Sequence, residues 1–226
     1  MRVLHGRLAD PAADDEPTAA LLARAVAAGE PGLRVWRPPR QCSFGRRDAR
    51  AAGYDDARRL ADEAGFPPRE RRTGGRPVAY TGTTVAFALA TPIDDVRVGL
   101  GERYDDAAMA VQRALWRLGV PAQQGEPPGA FCPGNHSLSW RGKLVGLAQR
   151  VTRGAALVGG VVIVDDHVAI AEVLEPVYER LELPFDPDAV GSIERAGGRA
   201  DPDEVVEAVT AALLGEREAE VERVGG

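Results

Sequence analysis

Two strand-like runs, Lys143 to Val151 and Ala156 to Val164, are separated only by the segment Thr152-Arg153-Gly154-Ala155. Apolar, β-branched runs flanking so short a glycine-bearing link predict a β-hairpin. A hairpin must have its apolar face covered by other elements, and the rest of the chain supplies candidates of both kinds. Thr18 to Ala28 is helical in pattern and ends at Gly29, with Pro31 and Gly32 behind it. Tyr54 to Ala64, between Gly53 and Gly65, predicts a second helix, and Tyr104 to Leu118 a third with Ala107, Val111, Ala114, Leu115 and Leu118 on one side. Val168 to Leu183 and Pro202 to Leu214 predict two more. In the last of these, Asp201 is placed to cap, Pro202 takes the first helical position and Glu204 completes a capping pattern. Leu33 to Arg37 alternates like a half-buried strand and Arg69 to Arg72 is extended before a Gly74-Gly75 turn. Val78-Ala79-Tyr80 and Thr83 to Leu89 are expected to pair as neighbouring strands. These elements together predict one α+β domain over residues 1–226, helical from about residue 167 and frayed over 216–226.

Charge and cysteine content exclude several function classes. The net charge of -6 argues against nucleic-acid binding driven by overall charge. The longest apolar run, Ala155 to Val164, contains two glycines and is too short to span a bilayer. With two cysteines and no secretory pattern at its start, the chain is expected in the cytoplasm without a structural disulfide. No metal-ligand spacing stands out. The basic residues nevertheless cluster, Arg69, Arg71, Arg72 and Arg76 in one place and Arg141, Lys143, Arg150 and Arg153 in another. Local basic clusters on an acidic protein are what an anionic substrate or an acidic partner requires.

Of the 28 basic residues only Lys143 is a lysine. Arginine is a planar, permanently charged fork, and lysine a compact ammonium on a flexible stem. A composition that favours arginine this strongly marks the surviving lysine as a position where the fork does not serve. Lys143 follows Gly142 and precedes Gly146, and a glycine inside a strand often marks close approach of a ligand or another backbone. Eleven residues earlier, Cys132 lies in a Gly/Pro loop, Gly125 to Gly134. A thiolate nucleophile needs exposure and a nearby positive charge, which Lys143 is expected to supply. The Gly74-Gly75 pair, flanked by Arg71, Arg72 and Arg76, permits a turn that a ligand can approach closely, with arginines suited to an anionic group. Cys42 is expected to be a small buried residue.

These blocks together resemble the biotin/lipoate protein ligase superfamily, in its lipoate-protein ligase and octanoyltransferase branch, over roughly Leu33 to Val164. Arg71-Arg72-Thr73-Gly74-Gly75-Arg76-Pro77-Val78 is similar to that branch's arginine-arginine-x-(Ser/Thr)-Gly-Gly signature. Gly142-Lys143-Leu144-Val145-Gly146-Leu147-Ala148-Gln149 is similar to its lysine strand, whose lysine is catalytic throughout the branch. In the ligases the third signature position is usually another glycine, followed by Tyr-His-Asp. Here it is Arg76, and Tyr80 is followed by Thr81-Gly82. That departure points to the cysteine-dependent octanoyltransferases, which carry an acyl-accepting cysteine in the loop before the lysine strand. Cys132 has that placement, at a shorter interval from Lys143.

The resemblance implies an α+β catalytic domain with a mixed sheet and flanking helices. It implies Cys132 and Lys143 as catalytic residues, and Arg71, Arg72, Thr73, Gly74, Gly75, Arg76, Val78, Gly146, Ala148 and Gln149 around the substrate. The reaction it implies is transfer of an octanoyl or lipoyl group from a carrier protein to a lysine of a lipoyl domain, through a Cys132 thioester and without a cofactor. The alternative is an ATP- and Mg²⁺-dependent lipoate-protein ligase working through lipoyl-AMP on free lipoate or octanoate. A third reading is a lipoyl-domain binding protein without chemistry, against which the retained lysine speaks.

Overall fold

In the computed structural model the described residues are 1–226 apart from 9, 11, 12, 72, 73 and 226. The chain begins with β1 (Arg2–His5), α1 (Glu16–Ala28), β2 (Gly32–Trp36) and β3 (Gln41–Phe44), followed by α2 (Tyr54–Glu63), β4 (Pro68–Glu70), β5 (Val78–Tyr80) and β6 (Val85–Pro92). Next come α3 (Leu100–Arg117), β7 (Gln123–Gln124), β8 (Leu138–Ser139), β9 (Lys143–Thr152) and β10 (Ala155–Val162). It ends with α4 (His167–Arg180), α5 (Pro202–Leu214) and β11 (Glu220–Arg223).

The predicted hairpin is the centre of the molecule. β9 and β10 pair antiparallel from Thr152↔Ala155 to Val145↔Val162, turning at Arg153-Gly154. Among the described residues they belong to an eight-stranded mixed sheet in the order β11-β1-β2-β6-β10-β9-β8-β7. A second sheet has three strands, β4-β3-β5. Helices begin and end where local chemistry dictates. The carboxylate of Asp201 accepts the N–H groups of Asp203 at 2.8 Å and Glu204 at 3.2 Å at the start of α5, while Glu204 itself turns to Arg199. α1 stops at Gly29 in the left-handed conformation, its N–H returning to Ala25.

Two expectations are corrected. β5 and β6 are not neighbours: β5 joins β3 in the small sheet, and β6 runs between β2 and β10 in the large one. Gly82, at φ 89°, and the bonded hydroxyls of Thr81 and Thr83 turn the chain from one sheet to the other. The frayed tail is also corrected over 220–223, which pair in parallel with β1 as an edge strand. Charged residues suit an edge, where both faces meet water, and Glu222 reaches Arg2 at 2.5 Å.

The large sheet is covered differently on its two faces. α3 and α5 pack on one, over Val3, Leu33, Val35, Val85, Phe87, Val145, Val158 and Val162. On the other face lie two separate bodies. α1 sets Leu21, Leu22 and Ala25 against Ala90, Ala155 and Leu157, and the small sheet with α2 and α4 gathers Phe44, Phe66, Ile163, Leu174 and Tyr178. The sheet face between these bodies is built mainly of glycine and alanine, and a cavity opens above it.

Candidate active site

The cavity has a volume of about 630 Å³ and its walls include Leu22, Trp36, Val78, Tyr80, Phe131, Cys132 and Lys143. Strand register fixes its floor. Because side chains alternate between the faces of a strand, one face carries Ala86 and Ala88 of β6, Gly159 and Val161 of β10, and Gly146 and Ala148 of β9, all lining the cavity. The opposite face carries the larger Val85, Phe87, Val145, Val158 and Val162 in the packed core.

Cys132 stands at the wall of this cavity, half-buried, with φ at 41°. Its Sγ accepts the backbone N–H of Arg76 at 3.2 Å and lies 3.9 Å from the Arg71 guanidinium. The turn beneath the sulfur needs its glycine: Gly75 has φ 100°, and a Cβ there would come within 2.7 Å of Sγ and 2.8 Å of Arg71 Nη2. Arg71 holds the turn by donating to the carbonyls of Ser43, Gly74 and Arg76. The side chain of Arg76 reaches the fully buried carboxylate of Asp48 at 3.0 Å, whose other oxygen accepts the Gly45 N–H at 2.8 Å. Arg76 therefore serves the sulfur through its main chain.

The peptide of Cys132 is fixed from two sides. Its N–H donates to the Tyr178 hydroxyl at 2.7 Å, and that hydroxyl donates onward to the Pro77 carbonyl at 2.9 Å. Burial pushes the Tyr178 hydroxyl well above the usual phenol range, so it stays protonated and able to donate. Its carbonyl faces Lys143. The lysine is fully buried, and Nζ donates to Cys132 O at 2.8 Å, Phe131 O at 3.0 Å and the Glu126 carboxylate at 3.0 and 3.2 Å. Glu126 also accepts the Gly134 N–H and the Ser137 hydroxyl, closing the cysteine loop around the ammonium.

Lys143 was expected to face the thiol, and it faces the carbonyl of the same residue. The cation near sulfur is Arg71. Gly146 gives the lysine its room, since a Cβ there would lie 3.3 Å from Lys143 Cε. Gly74, Val78 and Ala148 line the cavity with Gly146. Gln149 does not: it points to the other face of the sheet, where it binds Arg103 and the Leu100 carbonyl. Arg72 and Thr73 lie outside the described residues. Cys42 is fully buried in the small sheet, and burial pushes its thiol up to about 12, far from nucleophilic use.

Sequence reasoning missed Glu126, Asp48, Tyr178 and Tyr80. Glu126 is the acid of the Gly125 to Gly134 loop, and a lysine that the fold buries calls for such a partner. Tyr80 lines the cavity, and burial raises its hydroxyl above the phenol range against the lowering effect of Arg71. Nothing in the spacing of Asp48 or Tyr178 marks them, because their partners lie far away in the chain.

Comparison with known proteins shows the family of this chain. The family model described as the lipoyl protein ligase A/B catalytic domain matches residues 17–214. An octanoyl-[GcvH]:protein N-octanoyltransferase of Geobacillus kaustophilus is 26% identical over 162 residues, 70% of this chain and 57% of that protein. The enzyme of the same name from Exiguobacterium sibiricum is 28% identical over 138 residues, 61% of this chain and 50% of its own. The chain thus spans about half the length of the curated relatives it matches. Among solved structures, a lipoate-protein ligase A bound with ATP superposes with a TM-score of 0.76 at 19% identity, covering 100% of this chain and 88% of that one. A bi-partite lipoate protein ligase of Thermoplasma acidophilum, from a study with its E2 lipoyl domain, gives 0.67 at 16%, covering 100% and 86%. The likeness in structure establishes the mixed-sheet ligase fold, and the match over residues 17–214 establishes that the chain belongs to the lipoyl protein ligase A/B catalytic-domain family.

Proposed function

We propose that the protein transfers an octanoyl or lipoyl group from a carrier protein to a lysine of a lipoyl domain through a thioester on Cys132. The observation that carries this reading is the setting of the Cys132 sulfur at an apolar cavity wall, with the Arg76 N–H and the Arg71 guanidinium directed at it. A sulfur in such a setting is accessible and has two donors directed at it. It attacks the acyl carbonyl carbon, the new C–S bond forms, and the bond to the donor breaks as the leaving group takes a proton. The acceptor lysine, as free amine, then attacks the thioester, loses a proton and returns Cys132 as thiolate. Lys143 anchors the loop that presents the sulfur, its Nζ donating to the Cys132 carbonyl and pairing with Glu126. This route needs no cofactor.

The ATP- and Mg²⁺-dependent ligase is the second reading, favoured by the cationic side chains Arg69, Arg71, Arg150 and Lys143 along the cavity. Among the described residues no three His, Cys, Asp or Glu side chains converge as a metal site. A Mg²⁺ ion here would rest on phosphate oxygens and water with few protein ligands.

The test is incubation with an apo lipoyl domain and either an octanoyl carrier thioester or octanoate with Mg²⁺-ATP, reading the masses of both proteins. An octanoyl adduct on the enzyme that Cys132→Ser abolishes, followed by a modified lipoyl domain, is expected. Full ATP-dependent transfer by Cys132→Ser overturns the cysteine route in favour of the ligase, and binding without transfer from either donor overturns both.

A further inference from the structure

The sulfur of Cys132 and the main-chain donor that meets it come from segments far apart in the chain. Cys132 lies in the Gly125 to Gly134 loop, and the Arg76 N–H that reaches Sγ at 3.2 Å follows the Gly74-Gly75 turn. A side-chain atom from a third segment joins them. The Tyr178 hydroxyl, near the end of α4, accepts the Cys132 N–H at 2.7 Å and donates to the Pro77 carbonyl at 2.9 Å. Pro77 directly follows Arg76, so the contacts close a cycle. It runs from Sγ to the Arg76 N–H, along the chain to the Pro77 carbonyl, through Tyr178 Oη to the Cys132 N–H, and back to Sγ.

The cycle is held from outside. Tyr178 is 1% exposed, packs 5.0 Å from the ring of Phe185 and belongs to the apolar body of the small sheet, α2 and α4. Pro77 is buried, with its φ fixed by its own side chain. Cys132 has φ 41°, a left-handed conformation that a residue with a Cβ keeps only where its surroundings over-determine it. Two bonds to its main chain do so, the N–H donating to Tyr178 and the carbonyl accepting from Lys143 at 2.8 Å. Lys143 ties the loop to β9, whereas Tyr178 ties it to the turn that carries the donor to sulfur.

Resting on the acyl-transfer reading, we infer that Tyr178 is a positioning residue for the nucleophile: its hydroxyl sets the separation between the Cys132 loop and the Arg76 N–H, and so where Sγ stands at the cavity wall. Phenylalanine at this position keeps the packed ring and opens the cycle at one atom. It leaves the Cys132 N–H and the Pro77 carbonyl without this partner, so a loss of stability is expected whether or not the hydroxyl positions the sulfur. A purely structural hydroxyl stops there, and the rate per folded molecule stays. A positioning hydroxyl also governs the rate, because a misplacement of about 1 Å can cost up to about 10²-fold.

The experiment measures the octanoyl adduct on Cys132 by mass in single turnovers, over a range of concentrations of the octanoyl thioester of N-acetylcysteamine, with rates referred to the folded fraction. Tyr178→Phe is expected to lower the maximal rate by about tenfold or more, with the half-saturating concentration within about twofold of that of the unaltered protein. Phe185→Leu trims the neighbouring ring and leaves the hydroxyl, so it is expected to lower stability with the maximal rate unaltered. An unaltered maximal rate in Tyr178→Phe, a change confined to the half-saturating concentration, or an equal fall in Phe185→Leu overturns the positioning role and leaves the acyl-transfer reading standing. Where Tyr178→Phe does not fold, amide hydrogen exchange in the unaltered protein decides. The Cys132 N–H is expected to exchange as slowly as the buried amides of α4, and exchange as fast as that of an exposed loop overturns the cycle. No adduct from the thioester on the unaltered protein overturns the acyl-transfer reading, and the role of Tyr178 with it.

Discussion

Lys143 sits fully buried where an ammonium finds four oxygen acceptors within 3.2 Å. A guanidinium cannot take its place without cost, because its planar fork spreads its donors where the lysine directs them from one atom. Lys143→Arg is therefore expected to lower the transfer rate on the order of 10²-fold while the far-UV circular dichroism stays that of the unaltered protein. An unaltered rate in that variant removes the lysine from the mechanism. Scarcity made this residue legible in the sequence, and the surrounding composition did the work: in a lysine-rich chain Lys143 would have carried no signal. Its task was less legible. Eleven residues of separation placed it near Cys132, yet only the folded loop decides that Nζ meets the carbonyl and not the sulfur. Arg76 likewise meets the sulfur through its main chain, and a main-chain N–H has no signature in a side-chain motif.

Helices were easier to read than sheets because a helix writes its contacts every three or four residues, whereas a strand's partner lies anywhere in the chain. α5 matches its predicted limits, down to the cap at Asp201. Replacing that cap removes acceptors for two otherwise orphaned N–H groups, so Asp201→Ala is expected to cost about 1 kcal/mol in denaturant unfolding with no change in the slope of the transition. A loss below the error of the measurement means that water satisfies those groups as well. β5 and β6 show the opposite case. Both were visible as strands, but their alternating patterns do not say that a two-threonine turn sends them into different sheets. β11 was hidden for another reason, its Glu-Val-Glu-Arg sequence being that of an exposed edge, which from composition alone resembles a solvated tail.

At the scale of the whole molecule the α+β class followed from strands and helices interspersed along the chain, but the division of one sheet face between two bodies did not. That division leaves the cavity, and it also concentrates charge. The protein is acidic overall, yet Arg69, Arg71 and Arg150 line the cavity without a carboxylate partner among the described residues. If an acidic lipoyl domain is drawn in by these arginines, kcat/KM for the protein acceptor falls several-fold between about 50 and 300 mM salt, while acylation by an uncharged small thioester stays level. Parallel responses of the two reactions count against steering. The outermost strand pair has a consequence of its own, for the order of events during synthesis. β1 leaves the ribosome well over 200 residues before β11, yet Arg2 to His5 lie beside Glu220 to Arg223. At about 5–20 residues per second, the outer edge of β1 waits roughly 10–45 s for its partner. Until then a row of unpaired N–H and carbonyl groups is open to any other chain that meets it.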